Sequence, residues 1–210
     1  MEKSRLDKQY DFFREIDKEK FIMRQTYKTD AISKENDAEH AWHMAIMTIL
    51  LSEYANESID ILKTVTMLLI HDLVEIDAGD TYAYDDSAKE TQRQREVAAA
   101  DRIFAILPED QGSRFRALWE EFEANETPEA KFARTMDNLQ PMMLNDATGG
   151  KSWSEKGVRI SQVLRRNANT SKGSKELWDY AYKNILLPNV VNGNIINDEN
   201  IDVTKVTSDE

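Results

Sequence analysis

The sequence predicts an all-α fold: one multi-helix domain over residues 1–190 and a C-terminal tail over 191–210. Three observations carry this. Apolar residues recur at i, i+3, i+4, i+7, as in Ala100, Ile103, Phe104 and Leu107, and again in Phe115, Leu118, Trp119 and Phe122. Phe132, Met136, Leu139 and Met143 continue the pattern at slightly wider spacing. Only 7 glycines and 4 prolines occur in 210 residues, too few for a turn-rich β fold or for Gly-rich phosphate loops. No stretch shows a convincing strand alternation.

The periodicity places helices at about 4–20, 37–55, 58–78, 88–107, 111–125, 128–146, 155–168 and 174–187. Several ends are signalled. Asn36 with Glu39 makes a capping-box variant before the second helix. The apolar run from Val65 to Ile70 marks the third as a core element, and Gly79 follows it. An acidic, Tyr-containing loop occupies 80–86. Thr127-Pro128-Glu129 reads as N-cap, proline at the first helical position and an acid in the first turn. Gly149-Gly150 lies just past the end of that helix. After Pro188 the chain turns rich in Asn, Asp and Val without helical period, and its last residues, TKVTSDE, are expected to fray. No linker divides the chain.

Composition excludes several chemistries. With no cysteine there is no disulfide, thiolate zinc site, iron–sulfur cluster or cysteine nucleophile. A net charge of −12 repels duplex nucleic acid and anionic membranes, yet leaves room for a small anion in a locally positive pocket. MEKSRLDKQYDFF lacks the apolar core of a signal peptide, and no apolar run approaches the ~18–20 residues of a membrane span. The expectation is a soluble cytoplasmic protein.

The chain has 3 histidines: His40, His43 and His71. All fall on expected helices among apolar neighbours. His71 ends the run VTMLLI and is followed at once by Asp72. Adjacent helix positions differ by about 100°, so both reach one pocket at the helix edge. Glu75 lies one turn further on the same face. Charges buried there need a cation or a well-made hydrogen-bond network. His40 stands in the first turn of its helix, where the dipole disfavours imidazolium and keeps the ring neutral, as a metal ligand must be. Taken alone, His40 and His43 each read as core histidines, and His-x-x-His is a weak metal signal. Asp137 sits inside a helix with Ala130, Ala133 and Leu144 on its side. Pro141 removes the amide that would bond the Asp137 carbonyl, so a kink is expected at this carboxylate.

In order and spacing, His…His-Asp…Asp on three helices resembles the HD-domain metal-dependent phosphohydrolases. NDAEHAWHMA resembles their first-histidine motif, LLIHDLVEIDAGD their His-Asp helix and acid segment, and AKFARTMDNLQP the helix of the last aspartate. Within that superfamily the chain looks closest to the 5′-deoxynucleotidase-like branch, over roughly residues 5–190. The resemblance implies metal ligands His40, His71, Asp72 and Asp137. His40 rather than His43 matches, because Glu39-His40 supplies the Glu-His of the motif. It also implies catalytic acids Glu75 and Asp80 and a phosphate-binding Arg24. Gln25 stands where relatives carry a substrate-packing tryptophan, and Asn138 where many bacterial relatives carry arginine.

The ligand set so implied is two imidazoles and two carboxylates, suited to one divalent ion: Mn, Co, Fe, Mg or Zn. Such an ion activates water and withdraws charge from phosphorus. Glu75 would position that water or take its proton, Asp80 would assist the leaving group or the same water, and Arg24 would neutralise non-bridging oxygens. Two-metal HD phosphodiesterases use further histidines, and only His43 is left over. No basic cluster stands near the motifs to hold a triphosphate. The expected reaction is therefore hydrolysis of a (deoxy)nucleoside 5′-monophosphate to nucleoside and phosphate. The alternatives are a non-catalytic nucleotide- or metal-binding module and an HD phosphohydrolase acting on another small phosphate ester. The branch forms dimers, and Trp42, Trp119, Trp153 and Trp178 offer more large aromatics than one core needs, so a homodimer is expected.

Overall fold

Ser4 opens the first helix with a reciprocal capping box to Asp7, and α1 (Arg5–Ile16) runs from there into a 3-10 turn over Asp17–Phe21. In this computed structural model the described residues are 3–79 and 89–202. After the turn comes a two-stranded antiparallel hairpin, β1 (Met23–Tyr27) and β2 (Lys34–Asn36), which the sequence reading did not anticipate. Its turn is held by Asp30, whose Oδ1 accepts from the amides of Ile32 and Ser33 at 2.8 and 2.9 Å. The strands are short, polar and locked by a side-chain turn rather than by an apolar face, so they leave no alternation to read.

Asn36 caps α2 (Asp37–Leu51) with the expected box: its side chain accepts from Glu39 N, and Glu39 accepts from Asn36 N. Next comes α3 (Ile61–Ile70), capped by Asp60. The expected continuous helix over 58–78 breaks at its most polar point. His71–Val74 is a 3-10 turn, α4 (Glu75–Ala78) restarts from it, and Gly79 ends it at φ +75°. The expected loop over 80–86, with Asp80, lies outside the described residues.

Beyond it lie α5 (Lys89–Phe104), α6 (Glu109–Ala124) and α7 (Pro128–Ala147). Thr127 caps α7 as expected, and the helix continues through Pro141. The single helix expected over 155–168 is instead α8 (Lys151–Glu155) and α9 (Ile160–Arg166), parted at Gly157. A short α10 (Thr170–Gly173), α11 (Lys175–Ala181), a wide turn over Tyr182–Leu186 and α12 (Leu187–Val191) follow. Past α12 the chain still packs. Ile195 is 1% exposed in the main core, and Ile196 exchanges backbone hydrogen bonds with Val158 and Ile160. Among the described residues no helix is long and apolar enough to cross a membrane.

Helix α7 is the axis of the molecule, with residues of α2, α3, α6 and α10 packed on it. One apolar cluster gathers Met44, Met67, Leu68, Phe132, Met136 and Trp153; a second gathers Phe12, Leu73, Ala100, Ile103, Phe104 and Trp119. The division between them falls just before the break at His71, since Leu68 belongs to one and Ile70 and Leu73 to the other. Of the tryptophans, Trp119 and Trp153 are buried and Trp178 half-buried, while Trp42 is 64% exposed. Among the tryptophans, exposure is thus confined to α2.

Helices α10 and α7 approach tightly at Gly173. A Cβ on Gly173 would collide with the carbonyl oxygen of Lys131 and with Thr135 Oγ1. Gly173→Ala is expected to cost about 1–3 kcal/mol, the range for overpacking. Urea denaturation checks this: the midpoint falls without a change in slope.

Candidate metal centre

Three helical elements deliver the candidate ligands. The α2 cap fixes the first turn in which His40 stands, the 3-10 turn presents His71 and Asp72, and α7 presents Asp137. All four are buried. Donor atoms of His40, His71 and Asp72 lie within 4.8 Å of one another. Asp137 Oδ1 joins them, 3.3 Å from His40 Nε2 and 3.9 Å from His71 Nε2. His71 Nε2 also lies 3.0 Å from Asp72 Oδ1.

Both imidazoles turn the same nitrogen inward, and hydrogen bonding decides which. His71 Nδ1 lies 2.8 Å from the Leu68 carbonyl, which only accepts, so Nδ1 carries the proton. His40 Nδ1 lies 2.8 Å from Gln140 Oε1. The Gln140 amide is oriented in turn by Glu35, whose Oε2 accepts from Nε2 at 2.9 Å. Gln140 Nε2 also meets His43 Nδ1 at 3.2 Å. Hence His40 and His71 both present Nε2 to the centre, the arrangement a metal-ligating histidine needs. His71 Nε2 is buried with no hydrogen bond of good geometry. Two inward Nε2 atoms and two carboxylate oxygens fit a divalent first-row ion or Mg. His43 stands behind Gln140, outside the group.

Electrostatics point the same way. Burial keeps His40 neutral, lowered to about 4. Burial opposes charge on His71 too, but Asp72 and Asp137 outweigh it and raise the ring to about 10. Asp72 is held low against its burial by His71 and Arg24, and Asp137 by His40, His71 and Arg166. The centre therefore demands positive charge, and without a metal a proton on His71 supplies it.

Around the centre lies a cavity of about 470 Å³. Glu75 lines it at the start of α4, one turn beyond His71. Arg24 enters from β1; its Nη1 donates to Asp72 Oδ2 at 2.9 Å and to Asp37 Oδ1 at 3.1 Å. Arg24 thus already grips a candidate ligand besides facing the cavity. Asp37 is raised to about 7 by burial and by Asp72, and Arg24 opposes that rise. Gln25 lines the cavity while its Oε1 accepts from Lys34 and Lys156 at 2.8 and 2.9 Å. Asn138 lines it too and donates to Thr170 Oγ1 at 3.0 Å.

The expectation that no basic cluster stands near the site is overturned. Four arginines, Arg24, Arg93, Arg134 and Arg166, line the cavity from β1, α5, α7 and α9. They converge only in three dimensions. Each is also matched by a carboxylate: Arg93 and Arg134 meet Glu123 at 3.2 Å, and Arg134 and Arg166 meet Asp137 at 3.3 and 3.4 Å. Sequence reasoning also missed Glu35, Asp37 and Gln140. Only Gln140, one turn after Asp137 on the same helix face, left a usable signal.

A helical domain with inward imidazoles and a His-Asp pair at a helix break defines the HD class. The HD domain family model matches residues 16–178, and the chain belongs to that family. It is 26% identical to the 5′-deoxynucleotidase HDDC2 of Bos taurus, over 74% of this chain and 82% of that protein. It is 30% identical to the HDDC2 of Homo sapiens, over 52% of each chain. A crystal structure named as a predicted metal-dependent phosphohydrolase from Magnetospirillum magnetotacticum superposes with a TM-score of 0.87. That chain is 46% identical, and the match covers 91% of this chain and 96% of that one.

Because His71 is raised to about 10, a metal ion must displace one proton from it across the neutral range, whereas His40, at about 4, releases none. Affinity is therefore expected to rise about tenfold per pH unit between roughly pH 6.5 and 8.5. Calorimetric titration with Mn2+ in buffers of different ionisation enthalpy checks this; an affinity flat with pH contradicts it.

Proposed function

We propose that the chain hydrolyses (deoxy)nucleoside 5′-monophosphates to nucleoside and phosphate, using one divalent metal held by His40, His71, Asp72 and Asp137. The observation that carries the reading is the pair of inward Nε2 atoms facing two carboxylate oxygens beside a cavity that also holds Glu75 and Arg24. The names of the curated relatives support the nucleotide substrate. When bound, the metal supplies Lewis acidity toward a phosphoryl oxygen and toward the attacking water.

The remaining work falls to this chain's own residues. Glu75 orients the attacking water and takes its proton. Arg24, held charged by Asp72 and Asp37 against its burial, meets the non-bridging oxygens with the edge its carboxylates leave free. Asp80, the further acid of this reading, lies outside the described residues. Matching each cavity arginine with a carboxylate leaves little surplus positive charge for a triphosphate and favours the monoester.

The reading includes a cytoplasmic location, where small nucleotides are turned over, and a homodimer. Support for the dimer comes from one uncharged face. Trp42, Ile46, Ile49 and Leu50 on α2 and Leu62 and Leu69 on α3 are 43–72% exposed, on a chain of net charge −12. Contiguous apolar surface on adjacent helices marks an association site. Light scattering at micromolar concentration is expected to give twice the chain mass, falling to the monomer in Leu62→Glu.

Phosphate release from a panel of nucleoside monophosphates, di- and triphosphates and sugar phosphates tests the activity. Deoxynucleoside monophosphates are expected to lead; no release from any of them by metal-loaded protein rejects the reading. Glu75→Gln is expected to keep its metal and lose ~10²–10⁴-fold in turnover. Asp72→Ala should lose metal and activity together. Metal content and rate are measured on the same preparations, and metal-free Glu75→Gln would make Glu75 a ligand.

A further inference from the structure

Both candidate aspartate ligands are divided in the same way. Asp72 turns Oδ1 toward His71 and the centre, while its Oδ2 accepts from Arg24 Nη1 at 2.9 Å. Asp137 turns Oδ1 toward both imidazoles, while its Oδ2 accepts from Arg134 Nη1 at 3.3 Å and Arg166 Nη2 at 3.4 Å. One oxygen of each carboxylate faces the centre and the other is held by guanidinium.

The arginines on Asp137 are themselves anchored differently. Arg134 bonds Glu123 at 3.2 Å and stacks 4.0 Å above the Phe122 ring, which in turn meets the His71 ring edge-on at 4.7 Å. It stands one turn before Asp137 on α7, so helix geometry sets their approach. Arg166 reaches in from α9, with a side chain 38% exposed.

We propose that Arg134 and Arg166 are positioning residues that restrict Asp137 to a single oxygen on the metal, leaving coordination positions open for water and phosphate. The inference rests on the reading of His40, His71, Asp72 and Asp137 as ligands. Two effects follow from the geometry. The guanidinium groups occupy the oxygen with which Asp137 would otherwise chelate. Their charge also repels the ion they adjoin. Site geometry here gives up affinity and keeps access. Ordinary outer partners of a metal ligand act oppositely, and their loss costs about 10–100-fold in affinity.

The test compares wild type, Arg166→Gln, the Arg134→Gln/Arg166→Gln double variant and Arg166→Lys. Mn2+ affinity is measured by calorimetry, and the enhancement of water-proton relaxation by bound Mn2+ counts its exchangeable positions. Arg166→Gln is expected to bind Mn2+ several-fold tighter and the double variant about tenfold or more, as loss of nearby positive charge requires. Relaxation enhancement per bound ion and kcat fall together, and Arg166→Lys, which keeps the charge, stays near wild-type affinity. Weaker or unchanged Mn2+ binding in Arg166→Gln, or tighter binding with undiminished relaxation enhancement, overturns the proposal. Should the double variant fail to fold, Arg166→Gln alone decides, since its side chain sits at the cavity edge. Wild type that binds no Mn2+ overturns the ligand reading itself and the clamp with it.

Discussion

Two aspartates, Asp72 and Asp137, lie buried at the floor of one cavity, and the fold around them is organised by the need to compensate their charge. Taking a carboxylate out of water costs several kcal/mol unless partners replace the hydration. Here the replacement is two-sided. Imidazoles flank one oxygen of each carboxylate and guanidiniums hold the other. Five chain segments must come together to do this: β1 for Arg24, α2 for His40, the 3-10 turn for His71, α7 for Arg134, and α9 for Arg166. Folding of the helical scaffold and completion of the site are therefore one event.

The electrostatic design reaches one layer further. Glu35 and Asp37, beside Arg24 and His40, and Glu19, near Asp37 and Asp72, are buried acids raised by burial to about 7, 7 and 8. At neutral pH they are only partly ionised, where Asp72 and Asp137 are fully charged. Negative charge is thus concentrated on the two carboxylates at the centre instead of being spread through the surrounding acids. A chain with net charge −12 would otherwise surround its own cavity with a field hostile to a phosphate dianion.

Much of this was legible in the sequence. Helical periodicity gave the all-α class, and the caps at Asn36 and Thr127 were read residue for residue, because N-caps are local chemistry. The resemblance singled out His40, His71, Asp72 and Asp137, and the fold brings these four side chains together, whereas the helix pattern alone did not separate His40 from His43. The hairpin escaped notice because its strands lack an apolar face. The helix break at His71 escaped because the apolar run continues through Leu73 and Val74, and a 3-10 turn has no sequence signature of its own. Arg24 was named by the resemblance, but its cluster escaped for a different reason. Arg93, Arg134 and Arg166 join it from positions scattered over the chain and meet it only through tertiary packing.

Gln140 joins His40, Glu35 and His43 through one buried amide. A carboxyl or hydroxyl group in that position would accept a proton on one side and release it on the other. An amide does neither, since its hydrogens and its carbonyl belong to different atoms and do not exchange roles. Gln140 is therefore an insulator set between two conductors. His43, half-buried and lowered by desolvation, takes up or loses its proton with pH while the His40 tautomer stays fixed. Noise from the outer face of α2 is kept off the nitrogen that faces the centre.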